Sequence, residues 1–554
     1  MVALAGCQGL VSGFPDDSPG APERPGPGRQ PVLCESDTVA PSTDIARLTR
    51  FEYGRTLRDL LGQEVAGAAT NALALVPADR GEHTPDRLSQ DVSSNHVRAY
   101  ASVATAVGAF LEADEDARRN LVPCLGESEC IEDFIESFAS EAYRRPLLES
   151  ERAALLTTYD RGASESPALG LNLLVQRVLQ APAFIFRPEL GDEPAADGVE
   201  FALTDHEIAS RLSFYLWAAP PDDALRRAAN ARELSDPAQI EAHLDRMLDD
   251  PRAREGIRRF YTQWLVLDRS YDIDNLTGPI AESVEDTENL TAAAHEEVDR
   301  LLDFVLFDMR GTYADLMTTP VGFTHTPSLA EIYGVEPGTV DDPMVMLDRE
   351  QRSGLLTRVG MLAGDNGHTT PFHRGVFVAR RMLCRDLQIP PNLDENATSD
   401  PPADPEATTR QRYEAKTSPA ACAGCHRQFN PFGFALEMYD GAGQFRTEEF
   451  ALDEDEIVVG SLPIDAAVDP GLQSSDAVNG AVELGAALGS DPEAIQCAAV
   501  QWYEYSRRTR VRTAEDSCAV EDIGDAARAE SLYEMIRRLP LRPEFVVRRI
   551  EPNP

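Results

Sequence analysis

Residues 49–62 read TRFEYGRTLRDLLG, and this stretch shows the pattern that recurs through most of the chain. Thr49 and Glu52 have the spacing of a capping box, in which each side chain bonds an unpaired backbone N–H at the start of a helix. Four apolar residues follow at the period of a helix, namely Tyr53, Leu57, Leu60 and Leu61. Gly62 is a residue type that commonly ends a helix. The stretch therefore predicts a short amphipathic helix with one buried face.

The same signals recur further along the chain. Thr204 and Glu207 form a second capping box, and Pro220-Pro221 closes the apolar stripe behind it. Ser235-Asp236-Pro237 has the composition of another helix start. The apolar residues predicted to face a core in these and the following helices are Ile208, Leu212, Tyr215, Leu216, Ile240, Leu244, Met247, Leu248, Ile257, Phe260, Tyr261, Trp264, Leu265, Val298, Leu301, Leu302, Val305 and Leu306. Their helical spacing indicates core packing and not a cofactor site.

Strand signals are few. Residues 457–459 predict one short strand, and residues 322–326 predict an extended loop. Residues 394–407 are dense in Pro, Asp and Glu, which is typical of an exposed linker. The chain is therefore predicted to be mainly α, with several helical modules joined by proline-containing loops.

Composition excludes several classes of partner. A length of 554 residues suffices for roughly three or four modules of about 150 residues each. The net charge of −43 would repel phosphate backbones, so we expect no nucleic-acid partner. No run of about 18 apolar residues occurs, so no segment is expected to span a membrane.

The strongest chemical signal is Ala421-Cys422-Ala423-Gly424-Cys425-His426. In Cys-x-x-Cys-His, the two thiols can add across the vinyl groups of a haem while the histidine binds the iron. We therefore predict covalent haem c at Cys422 and Cys425, with His426 as the proximal ligand. The same cysteines could instead form a redox dithiol, a structural disulfide or half of a zinc site.

Three observations favour haem over these alternatives. The chain has no second Cys-x-x-Cys and no His-x-x-x-His pair, so a zinc site would need scattered ligands. A dithiol motif normally follows a strand inside a βαβ unit, whereas Cys422 follows a polar helical segment, residues 408–416, and a Ser418-Pro419 break. Haem c is attached outside the cytoplasm, and the start of the chain resembles that of an exported protein.

The remaining iron ligand decides the chemistry. A closed six-coordinate iron favours electron transfer, whereas an open position favours peroxide or gas chemistry. Met438, His368 and His373 are the candidates, although Met438 also suits a packing role. The second ring nitrogen of His426 needs an acceptor, for which a backbone carbonyl in the Asn430-Pro431 turn is a candidate.

Two groups of charged residues allow either a functional or a structural interpretation. Near the motif, Glu437 and Asp440 could relay protons and Arg446 could hold a haem propionate, or the three could form a structural salt-bridge cluster. Three arginines further upstream are predicted to form buried ion pairs between helices, namely Arg144, Arg145 and Arg211.

The first residues include Leu4-Ala5-Gly6-Cys7, which resembles the processing box of a bacterial lipoprotein. We predict that Cys7 is acylated and that an earlier start codon supplies the rest of the signal peptide. Residues 13–31 are rich in Pro and Gly and suit a tether. The predicted location is the cell envelope, as a periplasmic or outer-membrane-anchored lipoprotein held to the membrane by its lipid alone. The alternative is an accidental match in a cytoplasmic protein.

Six further cysteines form an even set, which allows three disulfides in an oxidising compartment. The pairings expected are Cys124 with Cys130, Cys497 with Cys518, and Cys34 with Cys384. Buried thiols without disulfides are the alternative.

Motifs along the chain resemble, in order, those of one family: the secreted multi-module proteins of planctomycete and myxobacterial type with PSD and PSCyt domains of unknown function. These motifs are residues 47–53 (RLTRFEY), 58–62 (RDLLG), 142–147 (AYRRPL), 203–205 (LTD), 209–213 (ASRLS), 216–217 (LW), 352–357 (RSGLLT), 370–371 (TP), 374–375 (RG) and 422–446. The resemblance implies a cytochrome-like protein but no particular reaction. Tyr505-Ser506-Arg507-Arg508 departs from the Tyr-Ala-x-Gly-Arg that is usual in the family.

These observations predict seven segments. They are residues 1–43 (leader and tether), 44–125 (first helical module), 126–200 (second helical module), 201–335 (large helical module), 336–393 (module before the haem-like segment), 394–407 (acidic linker) and 408–554 (cytochrome c-like Cys-x-x-Cys-His module and C-terminal helices). The predicted function is that of a lipid-anchored, extracytoplasmic c-type haem protein that transfers electrons to an unidentified redox partner. The alternatives are a haem peroxidase or oxidase acting on an extracellular substrate, and a non-catalytic surface scaffold with a Cys422–Cys425 disulfide. Whether the protein is an enzyme stays open.

Overall fold

The computed structural model describes most of the chain from Ile45 to Arg549. The described residues are 45–79, 86–88, 92–125, 127–194, 200–267, 273–281, 284, 287–364, 369–387, 401–453, 457–511 and 514–549. Several predicted features lie outside them: the 13–31 tether, Cys7, Cys34, His368 and the first half of the 394–407 linker.

Helices dominate these residues. The α-helices are Arg50–Gly67, Thr70–Leu73, Ser94–Ala113, Glu115–Leu121, Ser128–Tyr143, Glu149–Ala163, Pro167–Leu179, Pro182–Ile185, Asp205–Leu216, Asp223–Ala231, Pro237–Leu248, Pro251–Trp264, Gly278–Ala281, Leu290–Asp303, Tyr313–Thr318, Pro327–Tyr333, Val359–Leu362, Pro371–Phe377, Thr409–Thr417, Ala420–His426, Asn430–Ala435, Ala481–Ser490, Pro492–Arg507, Ala514–Ala529 and Leu532–Arg538. Two π-helical turns, Phe304–Asp308 and Val378–Met382, extend helices, and short 3₁₀ turns occur at Asp86–Leu88, Leu355–Thr357, Leu539–Leu541 and Pro543–Val546. The mainly α prediction is confirmed.

The helix starts follow the signals in the sequence. Thr49 and Thr204 both cap helices in complete capping boxes, with Glu52 and Glu207 as their partners. Gly62 interrupts the first helix with a φ of 79°, after which the chain resumes helical geometry as far as Gly67. A left-handed φ of this kind is accessible to glycine without steric cost, which explains why the break occurs there.

Strands are short and pair locally or in small ladders. The pairs are Ala46–Arg47 with Phe186–Arg187, Val321–Phe323 with Met344–Met346, Glu448–Leu452 with Val458–Pro463, and Ala467–Val468 with Val478–Asn479. Glu193–Pro194, Glu200–Ala202 and Val547–Arg549 form a three-stranded antiparallel sheet with Glu200–Ala202 in the middle. The strand predicted at 457–459 is thus present, and it is longer than predicted.

Two compact units are built from non-contiguous parts of the chain. One contains the described residues of 45–257, 503–516 and 539–549, and the other contains those of 258–502 and 517–538. The first has a core of helix faces that includes Tyr53, Leu57 and Val107. In the second, one cluster joins Leu290 and Leu329, and elsewhere the ring of Phe260 packs edge-on against Trp502.

The predicted core stripes are buried without exception from Ile208 to Leu306. On the first helix Tyr53, Leu57 and Leu61 are buried and Leu60 is half-buried. Within the described chain, no helix combines the length and the apolar character that a bilayer span requires. The seven-segment division of the chain stays a prediction.

Candidate functional site

The Cys-x-x-Cys-His residues form one short helix. This helix, Ala420–His426, starts directly after Pro419 and follows the capped helix Thr409–Thr417. It is called the CxxCH helix below. Cys422 and Cys425 are three residues apart and half-buried, and neither is in a disulfide. Because residues three apart lie on the same face of a helix, both thiols are presented side by side, with His426 next to Cys425.

Aromatic rings surround the imidazole of His426. The rings of Phe372 and Phe429 lie 4.5 and 4.8 Å from it, centroid to centroid. Phe372 also packs edge-on against Tyr413, at 4.4 Å, and Tyr413 is buried in the preceding helix. These contacts hold the imidazole plane in one orientation.

A chain of hydrogen bonds fixes which ring nitrogen is protonated. The Thr417 hydroxyl donates to the Tyr413 carbonyl at 2.8 Å, so its oxygen accepts from Asn430 Nδ2 at 3.2 Å. The Asn430 amide is thereby oriented with Oδ1 toward His426 Nδ1, 3.1 Å away. Because Oδ1 can only accept, Nδ1 must hold the proton, and Nε2 keeps its lone pair.

The predicted location of this acceptor was right, and the predicted atom was wrong. The Asn430-Pro431 turn does supply the acceptor for His426, but the side-chain amide takes the role and not a backbone carbonyl. Asn430 begins the helix Asn430–Ala435, four residues after His426. Side chains four apart meet when the chain turns helically, which explains the contact.

Burial changes the acidity of two site residues. It lowers the pKa of His426, an effect opposed by the Asn430 hydrogen bond and reinforced by the Lys416 ammonium. It raises the pKa of Cys425, which the nearby Arg380 guanidinium partly offsets. At neutral pH both shifts favour the uncharged forms, a neutral imidazole and a protonated thiol.

Two glycines let the helices around the site touch. A Cβ on Gly375, in Pro371–Phe377, would meet the Phe429 carbonyl, and one on Gly433, in Asn430–Ala435, would meet the Pro371 carbonyl. These positions therefore have no room for a side chain. The close approach positions Phe372 and Phe429 on the ring of His426.

The proposed sixth ligands differ in their surroundings. His373 is half-buried in the helix Pro371–Phe377, next to Phe372. The Met438 sulfur lies against Gly480, where a Cβ would approach it to 2.8 Å, which is a packing contact. His368 lies outside the described residues, so its ligation stays a prediction, as does that of the other two.

Glu437 and Arg446 form part of a buried network centred on Arg374. Glu437 is 2% exposed, and its two carboxylate oxygens lie 3.7 Å from Arg374 Nη1 and 3.6 Å from Arg446 Nη2. Thr369 donates a hydrogen bond to Glu437 at 3.1 Å. Burial raises the pKa of Glu437, against the opposing effect of the two arginines.

Asp440 has a different role from Glu437. Its Oδ1 accepts hydrogen bonds from the backbone N–H groups of Ala442 and Gln444, at 2.9 and 2.8 Å. It therefore closes the turn that follows Tyr439. These contacts support the structural interpretation of Glu437, Asp440 and Arg446, and the functional interpretation stays a prediction.

Arg374 was not singled out by the sequence. Its guanidinium donates to four backbone carbonyls, those of Leu362, Leu436, Tyr439 and Asp440. These acceptors lie 12 to 66 residues away, so no local pattern shows them. The only sequence signal was the Arg374-Gly375 pair in the family-like motif.

Two open clefts lie beside the CxxCH helix. One, of about 410 Å³, is lined by His426 together with Arg410 and Asn430, and the other, of about 720 Å³, by Gly424 together with Arg385. Arg427 lines both clefts. Guanidinium groups thus lie on both sides of the motif. Among the residues with described positions, no group of three or more His, Cys, Asp or Glu side chains is placed to hold a metal ion.

The upstream arginines only partly match their prediction. Arg145 pairs with Glu151 at 2.9 Å, and Arg211 forms a buried ion pair with Glu189. Arg144 instead donates to backbone carbonyls, those of Ala142, Ala183, Phe184 and Phe186. The ion-pair prediction for Arg144 was therefore wrong. Arg144 lies in a left-handed turn, with a φ of 59°, and its guanidinium reaches backbone carbonyls at residues 183–186 and not an acidic side chain on a facing helix.

The disulfides confirm one predicted pair and show that the other two, Cys497 with Cys518 and Cys34 with Cys384, were wrong. Cys124 is bonded to Cys130, as predicted. Cys497 is bonded to Cys384, with 5.4 Å between their Cα atoms, and not to Cys518. Cys518 is also in a disulfide. Cys497 was paired with Cys518 because the two are close in sequence. In the structure, the helix Pro492–Arg507 packs Cys497 against the turn after Val378–Met382.

Four family models match the chain, in succession. They are PSD3, a protein of unknown function (DUF1587), at residues 46–110; PSD5 (DUF1595) at 130–189; PSD4 (DUF1592) at 203–335; and PSCyt3 (DUF1588) at 352–449. The PSCyt3 match includes the CxxCH helix and Asn430. No curated protein and no solved structure matches the chain. The order and number of these domains show that the chain belongs to the multi-module family of PSD and PSCyt proteins.

Proposed function

We propose that this protein is a c-type haem protein, with haem attached at Cys422 and Cys425 and with His426 as its iron ligand. The observation that supports this most strongly is the hydrogen-bond chain behind His426. It leaves the lone pair on Nε2, the nitrogen farther from the backbone, in a ring that the aromatic contacts hold still. A histidine that binds a metal normally has its other nitrogen engaged in this way.

The donor set fits the group. Two thiols outside any disulfide lie one turn apart on the CxxCH helix, and each can add as S–H across one vinyl group, forming a thioether. The raised pKa of Cys425 keeps that thiol protonated until attachment. Arg427, which lines both clefts beside the motif, is exposed and is placed to hold a carboxylate such as a propionate, whereas Arg410 is already paired with Glu414 and Asp465.

Haem, once bound, would supply a one-electron redox centre. The residues of this chain would set its properties. Asn430 Oδ1 accepts a hydrogen bond from His426 Nδ1–H and thereby makes Nε2 a stronger electron-pair donor, and the rings of Phe372 and Phe429 limit access of water to one side of the imidazole. Electron transfer to a redox partner is the role that we propose, and the clefts beside the motif are the side from which a partner would approach.

We also propose that the protein acts in the cell envelope and that Cys7 is its lipid anchor. The disulfides Cys124–Cys130 and Cys384–Cys497 support an oxidising compartment, because such bonds are rare in the cytosol. Labelling with a radioactive fatty acid tests the anchor. Equal incorporation by Cys7→Ala and wild-type protein would rule it out.

Expression beside a c-type haem maturation system tests the central proposal. Thioether bonds survive denaturation, so intact-protein mass spectrometry of boiled protein should show the added mass of one haem. The double variant Cys422→Ala/Cys425→Ala should lack that mass. The matched control, Cys124→Ala/Cys130→Ala, removes two sulfurs elsewhere and opens a loop of only six residues, so it should keep the haem.

Each outcome selects one function. A haem spectrum with two strong axial ligands supports electron transfer. A high-spin iron that binds cyanide or carbon monoxide would replace that role by a haem enzyme. Wild-type protein with no covalent haem and with Cys422 joined to Cys425 would leave only the scaffold alternative.

A further inference from the structure

Two buried arginines in the unit that contains residues 45–257 have guanidinium nitrogens without hydrogen-bond partners among the described residues. Arg187 and Arg507 are 6% and 7% exposed. Nε of Arg187 and both Nε and Nη2 of Arg507 are fully buried and make no hydrogen bond within the described structure. A buried guanidinium cannot lose its proton, so each unmade bond and each uncompensated charge destabilises the folded protein.

The unpaired atoms of Arg507 form one edge of its guanidinium. Nε–H and one Nη–H point the same way from that edge, and such a pair binds two oxygens of one carboxylate, phosphate or sulfate. Arg507 is the last residue of the helix Pro492–Arg507, and its guanidinium lies 5.9 Å from the Phe545 ring. Arg211 packs on that same ring at 5.6 Å.

Arg187 reaches the same region from a strand. It belongs to Phe186–Arg187, and its guanidinium lies 4.5 Å from the centroid of Phe214. Glu189 is two residues later in the chain. Although burial raises the pKa of Glu189, the guanidinium groups of Arg211, Arg187 and Arg507 together lower it to about 2. All three arginines therefore lie close to one carboxylate.

Glu189, Glu52 and Glu544 each already pair with an arginine other than Arg187 and Arg507. Glu189 is held by Arg211, and Glu52 is shared by Arg87 and Arg508, at 3.1 and 2.7 Å. Neither Arg187 nor Arg507 comes within ion-pair distance of an acidic side chain in the described part of the chain. Positive charge is thus in excess in a buried place, within a chain whose net charge is −43.

We propose that Arg507 and Arg187 bind a small oxyanion of two or more oxygens, such as phosphate, sulfate or a carboxylate. The edge of Arg507 holds two of its oxygens, and Arg187 neutralises its charge. Nearby Glu544 has one oxygen, Oε2, that is buried without a hydrogen-bond donor. An oxyanion that keeps a proton, as phosphate does near pH 7, could donate to it, whereas sulfate could not. This site is independent of the proposed haem function.

Thermal unfolding of the full-length protein at constant ionic strength tests the proposal. Phosphate and sulfate are titrated separately against sodium chloride, with and without the variant Arg507→Gln. Wild-type protein should show a Tm that rises by several degrees and saturates, as binding to the folded state requires. Arg507→Gln should need at least about tenfold more anion for the same rise, because the two-bond contact is lost.

Arg528→Gln is the matched control, because it removes the same charge from an exposed arginine whose ion-pair partner in the described structure is Asp525. It should respond to the anions as wild-type protein does. A larger response to phosphate than to sulfate identifies the proton-donating ligand, and equal responses identify a ligand held by the arginines alone. A rise that never saturates, or that chloride reproduces in all variants, would overturn the proposal.

A second measurement covers the case in which Arg507→Gln does not fold. Wild-type protein, desalted into Tris chloride and then denatured, is assayed for released phosphate and sulfate by ion chromatography, and phosphate is titrated back by calorimetry. Either one anion released per chain or saturable binding with one site supports the proposal. Neither release nor binding would mean that water fills the space, and the proposal would fail.

Discussion

Two buried arginines, one in each unit, differ in how their hydrogen-bond donors are satisfied. Arg374, beside the CxxCH helix, donates to the carbonyls of Leu362, Leu436, Tyr439 and Asp440. Arg507, equally buried in the other unit, leaves a whole edge unbonded. The difference teaches that burial of a guanidinium does not by itself indicate a role. The hydrogen-bond partners of the guanidinium indicate its role. An arginine whose donors all bond backbone carbonyls holds chain segments together, whereas one with unbonded donors indicates a missing partner.

Two further buried arginines of the same unit also donate to several backbone carbonyls. Arg352 donates to the carbonyls of Thr357, Ile332 and Gly443, and it packs on two tyrosine rings. Arg358 donates to the carbonyls of Gly354, Thr319 and Val321. Loops without regular secondary structure leave carbonyls unpaired, so a single side chain with five donors can satisfy several at once.

The largest expected effect is at Arg374. Arg374→Met removes the partners of four buried carbonyls and one charge from the side of Glu437, so the free energy of unfolding should fall by about 3–5 kcal/mol. Urea unfolding followed by circular dichroism measures it. Arg528→Met, at an exposed position, should change stability by less than about 0.5 kcal/mol. If Arg374→Met lowered the free energy of unfolding by less than about 1 kcal/mol, the distinction between arginines with bonded donors and arginines with unbonded donors would fail.

Asn430 extends the comparison to an uncharged side chain, whose amide oxygen and amide nitrogen both form hydrogen bonds. Asn430→Ala removes the hydrogen bonds to His426 and Thr417, so the free energy of unfolding should fall by about 1–2 kcal/mol. Without the acceptor, the His426 proton is no longer held at Nδ1. Nitrogen shifts of ¹⁵N-histidine-labelled protein should then show a mixture of tautomers. Thr417→Val, which keeps Asn430, should give a smaller change, and an unchanged tautomer in Asn430→Ala would contradict the hydrogen-bond chain.

At Arg187 the sign of the effect should reverse. Arg187→Met places an apolar side chain on the Phe214 ring and removes an uncompensated buried charge, so in Tris chloride the variant should be more stable by about 1 kcal/mol. Urea unfolding in the same buffer provides the measurement. In phosphate the order should invert, because the wild-type protein holds the anion with both arginines and therefore gains more stability from it than the variant, which keeps only Arg507. A variant that is less stable in both buffers would show that Arg187 has a partner already.

The smallest expected effect is a pH dependence at Glu437. Burial raises its pKa above the ordinary 4.5, so the unfolded chain loses this proton at lower pH than the folded protein does. The free energy of unfolding therefore falls as the pH rises from 4.5 through the folded-state pKa. Glu437→Gln lacks this fall, so the Tm of the variant minus that of the wild type should increase from pH 4 to pH 7. Glu136→Gln, at an exposed site, should show no such gain.

Local features of the fold could be predicted from the sequence. Capping boxes and apolar stripes act over three to eight residues, so Thr49, Thr204 and the buried faces behind them were identified correctly. The CxxCH helix and the acceptor turn at Asn430 are equally local. The wrong atom was chosen at Asn430 because only the packed structure shows how Thr417 orients the amide.

Long-range features could not be predicted in the same way. Cys384 and Cys497 are 113 residues apart, and a closer cysteine, Cys518, was the obvious but incorrect partner for Cys497. The acceptors of Arg374 are backbone carbonyls, which every residue has, so no residue type marks them. Whether Arg507 has a partner depends equally on packing between distant segments.

The bond between Cys384 and Cys497 closes a covalent ring that contains the whole CxxCH helix. A protease that cuts the chain once anywhere inside this ring leaves both pieces joined, and they separate only after reduction. Closing a ring of about 100 residues also lowers the conformational entropy of the unfolded chain, which stabilises the folded protein by about 5 kcal/mol. Nicked protein would therefore retain the segment with Cys422, Cys425 and His426 outside a reducing cytosol and lose it inside one.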